Sequence, residues 1–141
     1  MARILSVALA LAVGLACASN PTGPEAAPDL DYDGLVDALR RSDVQVTAAG
    51  SISQPILSVP GRIIVVSAEN VQVFEYPDAA AAQADGRRVS PDGGMVGTTL
   101  ITWIAPPHFF VRGRVLALYV GSAAPVISAL SAVMGPQIAG R

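Results

Sequence analysis

The stretch "RIIVVSAENVQVFEYPDAAAAQADG", residues 62–86, decides the fold class. Arg62 to Ser67 and Val71 to Tyr76 are rich in β-branched and aromatic residues, which fit a pleated, half-buried surface. "SAEN", residues 67–70, is short enough to join the two as a hairpin. Pro77 cannot continue the second strand, and Asp78 is a helix-capping residue. Ala79 to Ala84 are strong helix formers whose small side chains let a helix sit close to a sheet, and Gly86 weakens the far end. Strand, turn, strand, helix predicts antiparallel sheet with helical cover.

Working toward the amino terminus, "SVPGRIIVV" places Pro60 and Gly61 at the two central positions of a type II turn. Val44 to Ala49 reads as a short strand. Asp31 to Arg41 reads as a helix, because Tyr32, Leu35, Val36 and Leu39 recur at i, i+3, i+4 and i+7. Asp31 or Asp33 suits its start, and Arg40 and Arg41 suit the negative end of its dipole. Working toward the carboxyl terminus, "SPDGG", residues 90–94, is a turn. Thr98 to Ala105 and Arg114 to Gly121 read as strands, joined by "PPHFFVRG", residues 106–113. Ser122 can cap a last helix with Pro125 in its first turn. Val126, Ile127, Leu130, Val133 and Met134 form its buried face, and Gly135-Pro136 stops it. The order predicts an α+β two-layer sandwich, ferredoxin-like in character, with an antiparallel sheet of about five strands and helices on one face.

The start of the chain reads as an export signal over residues 1–16. Arg3 supplies a positive n-region, and Ile4 to Ala16 carry no charge. That run is short of the roughly 20 apolar residues that span a bilayer. Val13-Gly14-Leu15-Ala16-Cys17 then resembles the bacterial lipobox. The commonest lipobox has Leu three residues before the cysteine, where this chain has Gly14; Ala16 is the standard preceding residue. The resemblance implies cleavage before Cys17 and acylation of its thiol, which is the only cysteine of the chain. Acylation also removes the liability of an unpaired thiol in an oxidising compartment. Ordinary cleavage near Ala16 and an uncut membrane anchor are the competing readings. Residues 17–28, with "ASNPTGPEAAP" after the cysteine, form a tether whose prolines and small residues cannot build a core. As a flexible coil it would span about 20 Å. Residues 29–141 then make one domain.

Net charge is −2, so there is no electrostatic case for a nucleic-acid partner. The charges are uneven. Six of the eleven acids (Glu25, Asp29, Asp31, Asp33, Asp37 and Asp43) precede residue 44, whereas five arginines and only Asp92 follow residue 86. At "SVPGRIIVV", "VQVFEYPDAAAA", "SPDGG", "TWIAPPHFF" and "ALYVG" the chain resembles short uncharacterised bacterial envelope proteins, from about residue 30 onward. That resemblance implies an envelope location and supplies no catalytic residue.

Catalytic and metal-binding signals are sparse. With one histidine and one cysteine, a zinc or iron site is not expected, and no cofactor is implied. No glycine loop precedes a lysine, and no Gly-x-Ser-x-Gly occurs. A small hydrolase would have to use His108 as general base, with Ser90 or Ser122 as nucleophile. The distinctive stretch is "TWIAPPHFFVRGR", where Trp103, His108, Phe109 and Phe110 surround two prolines. Either Trp103 and one phenylalanine complete the core and His108 is a solvated loop residue, or the segment is a rigid aromatic recognition edge. Adjacent residues on an extended segment point to opposite sides, so at most one of Phe109 and Phe110 is expected to be buried. Tyr119 and Glu75 sit on strands and either line a neighbouring groove or serve as core aromatic and exposed strand charge. The expectation is a lipid-anchored, extracytoplasmic binding or interaction module on the cell membrane or outer membrane. Its partner is another envelope protein or a small ligand, and the alternative is an envelope hydrolase.

Overall fold

The computed structural model describes residues 29–141. Cys17, the expected signal segment and the expected tether lie outside the described residues. Helix α1 spans Tyr32–Arg41, and its start is fixed by the Asp31 carboxylate, which accepts from the Gly34 N–H at 2.8 Å. Three antiparallel strands follow as β1 (Val46–Ile52), β2 (Gly61–Val66) and β3 (Glu69–Glu75). The β2–β3 turn is only Ser67-Ala68, both at positive φ (50° and 70°), a conformation usually given to Asn-Gly. Helix α2 spans Ala79–Gly86, with Asp78 accepting from the Ala81 N–H.

The second half departs from the sequence reading. Thr98–Ala105 is not a strand. Only Thr99–Leu100 (β5) is extended, paired with Met95–Val96 (β4) in a small ribbon apart from the main sheet. The segment expected to connect strands is itself β6 (Pro107–Arg112), paired along its length with β7 (Val115–Val120). Helix α3 (Ala124–Met134) has Ala123 at its N-cap, so Ser122 does not cap it. The Ala123 N–H is satisfied instead by the Tyr119 hydroxyl at 3.0 Å. After Gly135 turns the chain at φ 87°, Ala139–Gly140 adds a short β8 against β6. Gly61 forms no type II turn, since its φ is not positive. It is needed for close approach, because a Cβ there would lie 2.6 Å from the Phe74 ring.

The chain is an α+β sandwich. Its main sheet has six strands in the order β1-β2-β3-β7-β6-β8, and every pairing is antiparallel. The ferredoxin-like expectation survives in part as two crossovers, β3-α2-β6 over β7 and β7-α3-β8 over β6. Both step across the sheet in the same direction, but they start from antiparallel strands. Crossovers of one hand must then lie on opposite faces, and such connections are nearly always right-handed. The cores agree. One groups α1 and α3 with Ile64, Val66, Val71, Phe110, Val115, Ala117 and Tyr119. The other groups Ala82 of α2 with Phe74, Phe109, Leu116 and Leu118. The helices therefore cover both faces, and β6 and β7 are buried on both sides.

Candidate functional site

That double cover relocates the aromatic segment. His108, Phe109 and Phe110 are all buried on β6, with Phe109 in one core and Phe110 in the other. They form no recognition edge. His108, 4% exposed, is not a solvated loop residue. Its Nδ1 lies 2.8 Å from Gln137 Oε1 and its Nε2 lies 3.0 Å from the Gly121 carbonyl. Its ring stacks on Tyr119 at 5.8 Å. Gly121 precedes α3 and Gln137 follows it, so the imidazole ties both ends of that helix to the sheet. Both ring nitrogens are engaged by groups that are neither nucleophile nor carboxylate. Ser90, the imagined nucleophile, donates to Asp92 at 2.7 Å and accepts from the Met95 N–H, closing the turn before β4. Tyr119 is buried too; its hydroxyl reaches Glu69 at 3.4 Å.

Trp103 is the member of the set that stays near the surface. It is half-buried; its Nε1–H donates to the Gly93 carbonyl at 2.7 Å, and its ring meets Phe109 edge-on at 6.0 Å. The indole thus bolts the 101–106 loop onto the sheet. The surrounding stretch exposes large apolar side chains among threonines. Ile104 is 100% exposed, Leu100 is 76% exposed, and Met95, facing Leu100 across the ribbon, is 40% exposed. Beside Trp103 an open groove of about 380 Å³ runs between the indole, Ile101 and the Asp92–Arg141 pair; Met95, Leu100 and Ile104 do not line it. Ser90 and Gly94 hydrogen bonds hold the Asp92 carboxyl below its usual range. Sequence reading missed Leu100 and Ile104 because it gave them to a strand; the adjacent Gly93, Gly94 and Gly97 were the available signal.

Glu75 lies elsewhere. It lines an open groove of about 610 Å³ formed by the ends of β2 and β3 and the 59–62 and 76–77 segments. Its carboxylate is held by Arg62 at 3.2 Å and Arg114 at 3.1 Å, while Arg62 also lies 3.8 Å over the Tyr32 ring. Asp31 completes the group at 3.8 Å from Arg114. Two arginines facing two carboxylates leave neither sign in excess. The cluster docks α1 on the sheet and favours neither an anion nor a cation.

One buried carboxylate was not singled out by sequence. Asp85, 5% exposed, accepts from the Ser58 N–H (2.8 Å), the Ser58 hydroxyl (2.6 Å), the Tyr76 hydroxyl (2.8 Å) and Arg88 (2.7 Å). Burial pushes it up, but the bonds from Ser58, Arg88 and Tyr76 outweigh that and hold it at about 2. Burial, reinforced by Asp85, drives the Tyr76 hydroxyl far above its ordinary range. Among the described residues no group of three or more His, Cys, Asp or Glu side chains is placed to hold a metal ion, and no helix is long and apolar enough to cross a membrane. No protein-family model, curated protein or solved structure matches the chain.

Proposed function

We propose that the chain is a lipid-anchored, extracytoplasmic interaction module that works by binding, through the apolar surface of residues 95–106. The observation that carries this reading is the exposure of Ile104, on a loop held by Trp103, and of Leu100 on the adjoining β5. Aliphatic side chains so fully hydrated are costly unless something covers them. A pinned loop also loses little entropy on binding.

The position of the surface supports the reading. The described chain begins at Asp29 beside the β6–β7 turn, where the Arg114 N–H donates to the Leu30 carbonyl and Leu30 packs on Gly113 (φ 54°). The 101–106 loop enters β6 at its other end. At about 3.3 Å per residue, those ends are roughly 20 Å apart. A membrane anchor on Cys17 would enter at one end and present Ile104 at the other, toward an envelope protein or a small ligand. The test is a photo-reactive amino acid placed at position 104 in cells that make the protein, with position 128 on exposed α3 as control. A discrete adduct from 104, absent from 128 and lost in Leu100→Ser, is the expected result. Equal or absent labelling from both positions would remove the basis for the proposal.

A further inference from the structure

The two edges of the main sheet are finished differently. β8 is two residues long and is followed by Arg141. β1 runs for seven residues without a charge or a proline, and Thr47 to Ser51 are exposed. Among the described residues no strand lies beyond it, and its outer N–H and C=O groups have no ladder partner there. Natural edges are blunted by lysine, proline, shortness or a bulge. This one has only a bulge, in which Ala49 is the extra residue between the Ala48–Ile64 and Gly50–Ile63 pairs and Gly50 takes φ 132°.

We propose that β1 is a self-association edge, on which a second copy of this chain pairs antiparallel about a two-fold axis near Ala49 and joins the two sheets into one. The bulge bends and twists the edge locally, so pairing is confined to the few residues on either side of Ala49, and the make-up of those residues favours a second copy over a foreign strand. Edges that capture peptides read them through side-chain pockets. Thr47, Ala48, Ala49, Gly50 and Ser51 are too small to form such pockets, and being uncharged they do not repel when like meets like. Charge on the neighbouring helix is complementary as well. α1 packs against β1 and carries exposed Asp33 and Asp37 in its first half and exposed Arg40 and Arg41 in its last turn; Arg40 lies 3.8 Å from Asp37 of the same helix, and Asp33 and Arg41 make no ion pair among the described residues. An axis normal to the sheet runs two copies of α1 antiparallel, with the acids of each toward the arginines of the other. The segment before residue 29 is a poor rival for the edge, since Pro21, Pro24 and Pro28 have no N–H to donate.

The test uses the full chain in excess detergent, with mass measured by sedimentation over a concentration series. The wild type should reach twice the monomer mass. Thr47→Lys/Ser51→Lys and Thr47→Glu/Ser51→Glu, which set like charges opposite each other across the axis, should each stay at monomer mass. An equimolar mixture of the two should return to dimer. Gln83→Lys/Ser128→Lys, with the same added charge elsewhere, should still dimerise. A second measurement does not depend on the charged variants folding: Ala49→Cys should form a dimer cross-link through the introduced thiol on mild oxidation, and Ser128→Cys should not. A wild type that is monomeric throughout, charged-edge variants that still dimerise, a mixture that stays monomeric, or cross-linking equal at 49 and 128 overturns the proposal.

Discussion

At the scale of single residues, Asp85 is the most consequential group in the molecule. It faces four donors at once, and three of them (the Ser58 N–H, the Ser58 hydroxyl and Arg88) lie outside the hydrophobic interior. The carboxylate therefore holds the 53–60 segment against α2, and Tyr76 has no other polar partner to turn to. Because its folded pKa of about 2 lies below the ordinary 3.8, the group contributes stability that is complete above the unfolded value. That contribution fades as pH falls from about 5 toward 2, and it amounts to roughly 2 kcal/mol. Urea unfolding at pH 6 and near pH 2.5 should show that loss. Asp85→Asn should cost about 2–3 kcal/mol at neutral pH, since Asn cannot accept from every donor, and should flatten the acid-side dependence. A variant with unchanged stability and pH profile would show that the network carries no net energy. Nothing in the local sequence announces this role, because an aspartate late in an alanine helix looks like a solvated charge. Its partners come from Ser58 and Tyr76, and only the sheet brings those to it. The place of His108 is hidden for the same reason, since its hydrogen-bond partners lie 13 and 29 residues away.

At the scale of elements, the sequence is informative where an element's own pattern determines its state and silent where cover from elsewhere does. α1, α2 and α3 appear almost where apolar spacing and caps place them. The β2–β3 hairpin was legible from its β-branched runs, although its two-residue turn was not, because Ser67 and Ala68 are unusual at positive φ. β6 was not legible. "PPHFFVR" shows no alternation, since both of its faces are buried, and its prolines read as loop; Pro107 fits as the first residue of the strand. The double burial has a measurable consequence. Phe109→Ala and Phe110→Ala should each cost about 3–5 kcal/mol in a denaturant melt, because each leaves a cavity in a different core. The two losses should be roughly additive, since the sheet separates them. A loss under about 1 kcal/mol at either position would mean that its face is open to solvent. By contrast, Ile104→Ser should change stability by under about 0.5 kcal/mol, since Ile104 buries nothing.

At the scale of the whole molecule, the uneven charge noted in the sequence does not become a difference between two faces. Helix α1 sets Asp33 and Asp37 beside Arg40 and Arg41 on the face shared with α3, and on the other face the Asp78 cap and Asp85 of α2 are followed by Arg87 and Arg88. Among the described residues, both cores close from residues within 30–139. The junction at Leu30 is pinned to the β6–β7 turn, where the Arg114 N–H donates to the Leu30 carbonyl. The proposed anchor should therefore be separable from the fold. A diacylglyceryl group buries enough methylenes, at about 0.8 kcal/mol each, to hold the protein at a membrane without a spanning helix. Grown with a labelled fatty acid, cells making the wild type should yield labelled protein in the membrane fraction. Cys17→Ser should lose the label and leave that fraction, and its thermal midpoint should match that of the wild type. The competing readings of the first segment give different results with the same materials. Ordinary cleavage near Ala16 predicts an unlabelled wild type in the soluble fraction. An uncut anchor predicts an unlabelled wild type in the membrane fraction, with Cys17→Ser behaving identically. Either pattern would end the lipoprotein reading, while the proposed binding surface at residues 95–106 would stand or fall on its own test.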